Sequence, residues 1–103
     1  MKYDIVTRTI LGYTAETLMV NPDEIISACR NRELVLARSI FADIAYYKYR
    51  YTFQAIGKIL NRHHATIMHN VYTFHNDVEQ RPELSYLRQD VLRKVNGFLQ
   101  FCE

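Results

Sequence analysis

The segment Ile56-Gly57-Lys58-Ile59-Leu60-Asn61-Arg62-His63-His64-Ala65-Thr66-Ile67-Met68-His69 turns a corner within two residues. An apolar-spaced helical stretch ends at the Asn61-Arg62 step. A second begins at once with two imidazoles and a threonine. Two helices so joined read as a helix-turn-helix, whose second helix offers a polar first turn to base edges in a major groove. Nothing else in the chain offers chemistry, which makes recognition the expected task.

The distribution of charge supports this reading more than its total does. The net charge is only +2, but residues 28–70 hold Arg30, Arg32, Arg38, Lys48, Arg50, Lys58 and Arg62 against Glu33 and Asp43. That block carries +5, whereas residues 1–27 carry −2 and residues 71–103 carry −1. Positive charge thus lies in the same block as the helix pair, where it suits a phosphate-facing surface as well as a merely solvated one.

At 103 residues, with only three Gly and two Pro, the chain is expected to form one helix-rich globular domain spanning residues 1–103. No run approaches the roughly 20 apolar residues of a membrane span. No apolar signal-peptide core follows Met1-Lys2-Tyr3-Asp4, so the expected address is cytoplasmic. Cys29 and Cys102 lie far apart without a motif and are expected to be reduced thiols, Cys29 buried and Cys102 at the chain end.

Periodicity and capping chemistry predict about six helices. The first runs from Tyr3 to about Thr17, with Ile5, Val6, Ile10 and Leu11 on its apolar side. Asn21-Pro22-Asp23-Glu24 starts a second: Asn21 caps, Pro22 takes the first helical position, and Glu24 stands third as in a capping box. This helix is expected to reach about Cys29. Asn31 caps a third, Arg32 to Tyr47, with Leu34, Ala37, Ile40, Phe41, Ile44 and Ala45 as its core stripe. Arg38 lies off that stripe, facing solvent or a partner. Thr52 caps a fourth, Phe53 to Leu60, in which Gly57 permits close approach. The fifth, from about His63 to Val78, buries Ile67, Val71, Phe74 and Val78 and turns Ala65, Thr66, His69, Tyr72 and Thr73 outward. After Arg81-Pro82-Glu83 the last helix runs from about residue 82 to 101. Its Leu84, Leu87, Val91, Val95 and Phe98 are expected to pack on the domain, with a dimer seam as the lesser alternative.

The remaining constellations point away from catalysis. His63, His64, His69 and His75 miss the i, i+4 spacing that sets two ligands on one helical face, and no third ligand is nearby, so no metal is expected. No nucleophile–base pairing, paired carboxylates or Gly-rich phosphate loop stands out, so neither an enzyme nor a cofactor is expected. The run Tyr46-Tyr47-Lys48-Tyr49-Arg50-Tyr51 supplies core and rim aromatics, with a stacking platform for single strands as the minor alternative.

From about residue 10 to 80 the chain resembles the C-terminal DNA-binding domain of the bacterial replication initiator DnaA, a helical domain of the Trp-repressor-like class. Arg30-Asn31-Arg32 is similar to that family's Arg-x-Arg ahead of the long helix. Thr52-Phe53-Gln54-Ala55-Ile56-Gly57 resembles its Ser-Leu-x-Glu-Ile-Gly. Arg62-His63-His64-Ala65-Thr66-Ile67-Met68-His69-Asn70 resembles Arg-Asp-His-Thr-Thr-Val-x-His-Ala, the most specific part of the signature. The resemblance implies an all-α helix-turn-helix fold and double-stranded DNA as partner. By position, Arg30 enters the minor groove, Arg38, Thr66 and His69 meet phosphates, and His63, His64 and Ala65 meet base edges with Gln54 close by. Arg62 belongs to the same matched segment and is placed with the DNA-binding residues.

Two reading positions differ from the family. His63 stands where the family has Asp, so a carboxylate that accepts from cytosine is replaced by a ring that can donate. Ala65 stands where the family has Thr. The turn Leu60-Asn61-Arg62 is also one residue shorter than the family's Phe-Gly-Gly-Arg. These changes leave the target sequence open. No Gly-x-x-x-x-Gly-Lys-Ser/Thr occurs, so no nucleotide site is expected. The chain is either a fragment of a longer initiator or a stand-alone protein of a phage or mobile element, and the Met1 start favours the second. The expected function is sequence-selective duplex binding, by a monomer, in replication initiation or its regulation. Two alternatives remain. One is an interaction module for replication or regulatory proteins that keeps the fold without DNA; the other is a dimeric Trp-repressor-like regulator.

Overall fold

The computed structural model describes residues 4–101. Six helices follow in order: α1 Ile5–Leu18, α2 Pro22–Ile25, α3 Arg32–Tyr47, α4 Phe53–Leu60, α5 His64–Gln80 and α6 Pro82–Phe101, with no strand among the described residues. The expected all-α architecture is therefore observed. Local capping explains where most helices begin. Asn21 Oδ1 accepts from the Asp23 amide at 2.8 Å, Asn31 Oδ1 from Glu33 at 2.8 Å, and Thr52 Oγ1 from Ala55 at 3.0 Å. Each satisfies one of the amides that a helix start leaves without an internal partner. Asp4 does the same for α1, accepting from Thr7 N at 2.7 Å. The expected start at Tyr3 lies outside the described residues.

α3 is the central helix. Its expected stripe is buried, and from Ile40 to Ala45 so is every residue, because other helices cover it on nearly all sides. One hydrophobic core draws on all six helices, including Ile25 of α2, Ile56 and Leu60 of α4, Ile67, Val71 and Phe74 of α5, and Leu84, Val91 and Val95 of α6. Encirclement also traps Asp43, fully buried, which Arg88 of α6 meets through Nε. α6 packs chiefly against α1, with Lys94 Nζ reaching Thr17 Oγ1 at 3.1 Å.

Four sequence expectations are corrected. Ile5 is 47% exposed, and the buried side of α1 instead includes Thr7, Thr9 and Thr14. Thr9 satisfies its hydroxyl on the Ile5 carbonyl at 2.6 Å, and Thr7 shares a hydrogen bond with Tyr51 at 3.1 Å. α2 stops at Ile25 rather than near Cys29, because its carbonyls turn to a side chain described below. That early stop leaves Cys29 exposed, not buried. Phe98 is 39% exposed, edge-on to Tyr13 with ring centres 6.1 Å apart, rather than in the core. Cys102 lies outside the described residues.

Candidate nucleic-acid interface

The corner between α4 and α5 is built from backbone first. Asn61 adopts the left-handed conformation (φ 57°, ψ 48°) and donates its amide to the Gly57 carbonyl, which also accepts from Arg62 N at 2.8 Å. Asparagine tolerates this region better than most residues, so Asn61 ends the helix as a glycine commonly would. Gly57 is required for a different reason. A Cβ there would lie 2.5 Å from the Arg62 carbonyl oxygen, so the turn folds back on a bare Cα. The close approach expected of Gly57 is thus made to the turn's own backbone.

α5 then starts abruptly. His63 is extended (φ −66°, ψ 144°) and caps the helix, its Nδ1 accepting from the Ala65 amide at 3.1 Å. The His64 ring stacks on it with centres 4.3 Å apart. Beyond the cap, His64, Ala65, Thr66 and His69 are exposed while Ile67 and Val71 are buried, so burial of one side fixes which side the helix presents. Gln54, in the first turn of α4, is also exposed.

A second element lies beside this face. The connection from Ile26 to Asn31 carries Arg30, which is exposed, and is held by two arginines from elsewhere. Arg38 Nε donates to the Ile25 carbonyl at 2.6 Å, and its Nη2 to the carbonyls of Glu24 at 3.1 Å and Ser27 at 2.9 Å. Arg62 donates through Nη1 to Leu60 O at 2.8 Å and through Nη2 to Ser27 O at 2.9 Å. The expectation that Arg38 faces solvent is therefore wrong: it is 5% exposed, and its Nε and Nη2 donate to backbone carbonyls. Burial, with Arg62 beside it, pulls its guanidinium below the ordinary arginine value. Arg62 is half-buried and likewise engaged with carbonyls.

Arg32 was not among the sequence candidates, yet it is exposed and lines one open groove between α3 and α5 with His69. Its place in the Arg-x-Arg landmark was the available signal. The tyrosine run resolves into packing. Tyr46 stacks on Phe53 with centres 4.3 Å apart, and Phe53 meets Tyr72 edge-on at 5.9 Å. Tyr49 donates to Asn96 Oδ1, and Tyr51 to Asp4. A hydrogen bond with Tyr46 raises the Tyr72 phenol above its ordinary value. The ring contacts brace the end of α3 and the start of α4 against α5, while Tyr49 and Tyr51 tie the α3–α4 connection to α6 and to the start of α1.

A family model described as the bacterial DnaA protein helix-turn-helix matches residues 7–73. The chain is also 26% identical over 97 residues to chromosomal replication initiator protein DnaA 2 of Protochlamydia amoebophila (strain UWE25). The match covers 93% of this chain and 22% of that protein, so the chain spans about a fifth of its relative's length.

Proposed function

The chain belongs to the bacterial DnaA helix-turn-helix family, and on that footing we propose that it binds double-stranded DNA sequence-selectively, in replication initiation or its control. The observation that carries the reading is the first turn and a half of α5. His64, Ala65, Thr66 and His69 stand exposed there over a buried Ile67 and Val71, with exposed Arg30 on the neighbouring connection and exposed Arg32 at the start of α3. A solubilising helix face would carry Lys–Glu pairs; this one carries small, hydroxyl and imidazole groups suited to a groove.

In this reading His63, His64 and Ala65 face base edges, and Gln54 lies alongside them. Thr66 and His69 take phosphates, Arg30 enters the adjacent minor groove, and Arg32 adds a further phosphate contact. Arg38 and Arg62 hold the Arg30 connection against the helix pair instead of touching DNA. The chain acts as one domain and binds as a monomer.

A mobility-shift titration with duplex DNA at two salt concentrations tests this. Binding should fall steeply with salt, because each neutralised phosphate releases counterions. Arg30→Ala should weaken all duplexes, whereas His64→Ala should mainly blunt the difference between sites. No shift at low salt would end the reading.

A further inference from the structure

His63 caps α5 with a ring, and the hydrogen bond it makes decides where its proton sits. A nitrogen that accepts from an amide carries no hydrogen, so the contact from Ala65 N to Nδ1 at 3.1 Å leaves the neutral imidazole protonated on Nε2. The two nitrogens of an imidazole point in widely different directions. With Nδ1 turned to the helix end, Nε2–H is aimed away from it, on an exposed residue. The His64 ring, stacked at 4.3 Å and 29° to it, limits rotation of the His63 plane. The outcome is a single fixed donor at the cap of the recognition helix, with no acceptor beside it on the same side chain.

We propose that His63 is a specificity-determining residue that selects a guanine, through O6 or N7, at one position of the DNA site. The inference rests on the duplex-binding reading above. In the major groove guanine presents two acceptors and no donor, adenine one acceptor beside an amino donor, thymine one acceptor beside a methyl group, and cytosine only its N4 amino donor, so a lone donor is best matched by guanine and worst by cytosine. A donor-only group facing cytosine leaves two donors opposed, so that pair is disfavoured as well as unrewarded.

Three variants separate the donor from the cap. His63→Asn keeps a capping oxygen and presents an amide N–H₂ outward. His63→Asp keeps the cap and presents only an acceptor. His63→Ala removes both. Selection from a random duplex library, followed by affinities on single-position variants of the chosen site, should give the same guanine for the wild-type chain and His63→Asn. His63→Asp should favour cytosine at that position, a reversal of about tenfold. His63→Ala should lose preference there and keep it elsewhere. If His63→Ala retains the guanine preference, or His63→Asp selects the wild-type base at every position, the inference is overturned while duplex binding stands. If the wild-type chain binds no duplex, the reading beneath it fails, and this inference with it.

Discussion

Arg38 and Arg62 meet at one acceptor: the Nη2 of each lies 2.9 Å from the carbonyl oxygen of Ser27. One guanidinium comes from the central helix and the other from the corner of the helix pair, so Ser27 ties the Arg30 connection to both. Neither arginine has a carboxylate partner among the described residues. Their charge is instead dispersed over backbone dipoles.

The two arginines should therefore fail differently. Arg38→Met keeps the apolar stem but takes the donor from the buried Ile25 carbonyl and one donor each from the Glu24 and Ser27 carbonyls, at a cost of about 1–3 kcal/mol in urea unfolding. Arg62→Met should leave global stability near wild type and weaken duplex affinity by loosening the Arg30 connection. Because Arg62 positions rather than neutralises, its variant should keep the wild-type slope of log affinity against log salt. Arg30→Ala should reduce that slope by about one. Equal slope changes for Arg62→Met and Arg30→Ala would show that Arg62 meets phosphate directly.

Asp43 and Arg88 join α3 to α6 by an ion pair whose acid is fully buried. Asp43 Oδ1 has no further hydrogen-bond partner among the described residues, so Arg88 carries the compensation for that charge. Arg88→Met should destabilise by about 3 kcal/mol, since it leaves a buried carboxylate unpaired. The double variant Asp43→Leu with Arg88→Met should recover most of the loss. A double variant no more stable than the single would show that Asp43 has a role beyond the pair.

Met19 ends α1 in the left-handed region (φ 58°, ψ 43°), its side chain 91% exposed. Its amide and that of Val20 close the helix on Glu16 O at 3.2 Å and Ala15 O at 3.0 Å. Met19→Gly removes steric strain and gives up no packing, so a gain of about 0.5–1 kcal/mol is expected. For a domain of this size that raises the melting temperature by roughly 2–8 °C in calorimetry. An unchanged or lowered melting temperature would count against this end geometry.

How far the sequence reveals this molecule depends on whether a feature is local. Asn21, Asn31 and Thr52 announce their helices because a cap is satisfied within two or three residues. The α4–α5 corner is legible for the same reason. Arg38 and Asp43 are not. Off-stripe positions of an isolated α3 look solvated, and only the packing of α2, α5 and α6 around it makes them internal. Cys29 follows Arg38, whose grip on the Glu24 and Ile25 carbonyls accompanies the early end of α2. His63 is legible as a change at a reading position, while its role as cap and its outward donor emerge only with the ring in place.

Acid should act through Asp4. The Thr7 backbone amide, aided by Thr7 and Tyr51 hydroxyls, holds its carboxyl below the ordinary 3.8. A carboxyl depressed on folding adds stability above its unfolded value, and that stability is lost as pH falls through the folded value. Wild type should exceed Asp4→Asn in urea unfolding at about pH 6, and the two should converge near about pH 2. A gap that stays constant across that range would assign the effect to the cap alone, not to its charge.

Gly57 offers the sharpest test of the helix corner. Gly12 and Gly97 also lie within helices, but a Cβ at either meets nothing within 4 Å. Gly12→Ala and Gly97→Ala should each stabilise by up to about 1 kcal/mol through helix propensity. At Gly57 the same methyl meets the Arg62 carbonyl oxygen at 2.5 Å, and because that atom is backbone, the turn itself must shift. The local strain, about 1–3 kcal/mol, outweighs the propensity gain. The shift also displaces His63, whose cap starts α5, so duplex affinity should fall under conditions where Gly57→Ala remains folded by circular dichroism. Urea unfolding of the three variants side by side measures the contrast. If all three gain stability alike, α4 and α5 do not meet at the closeness described.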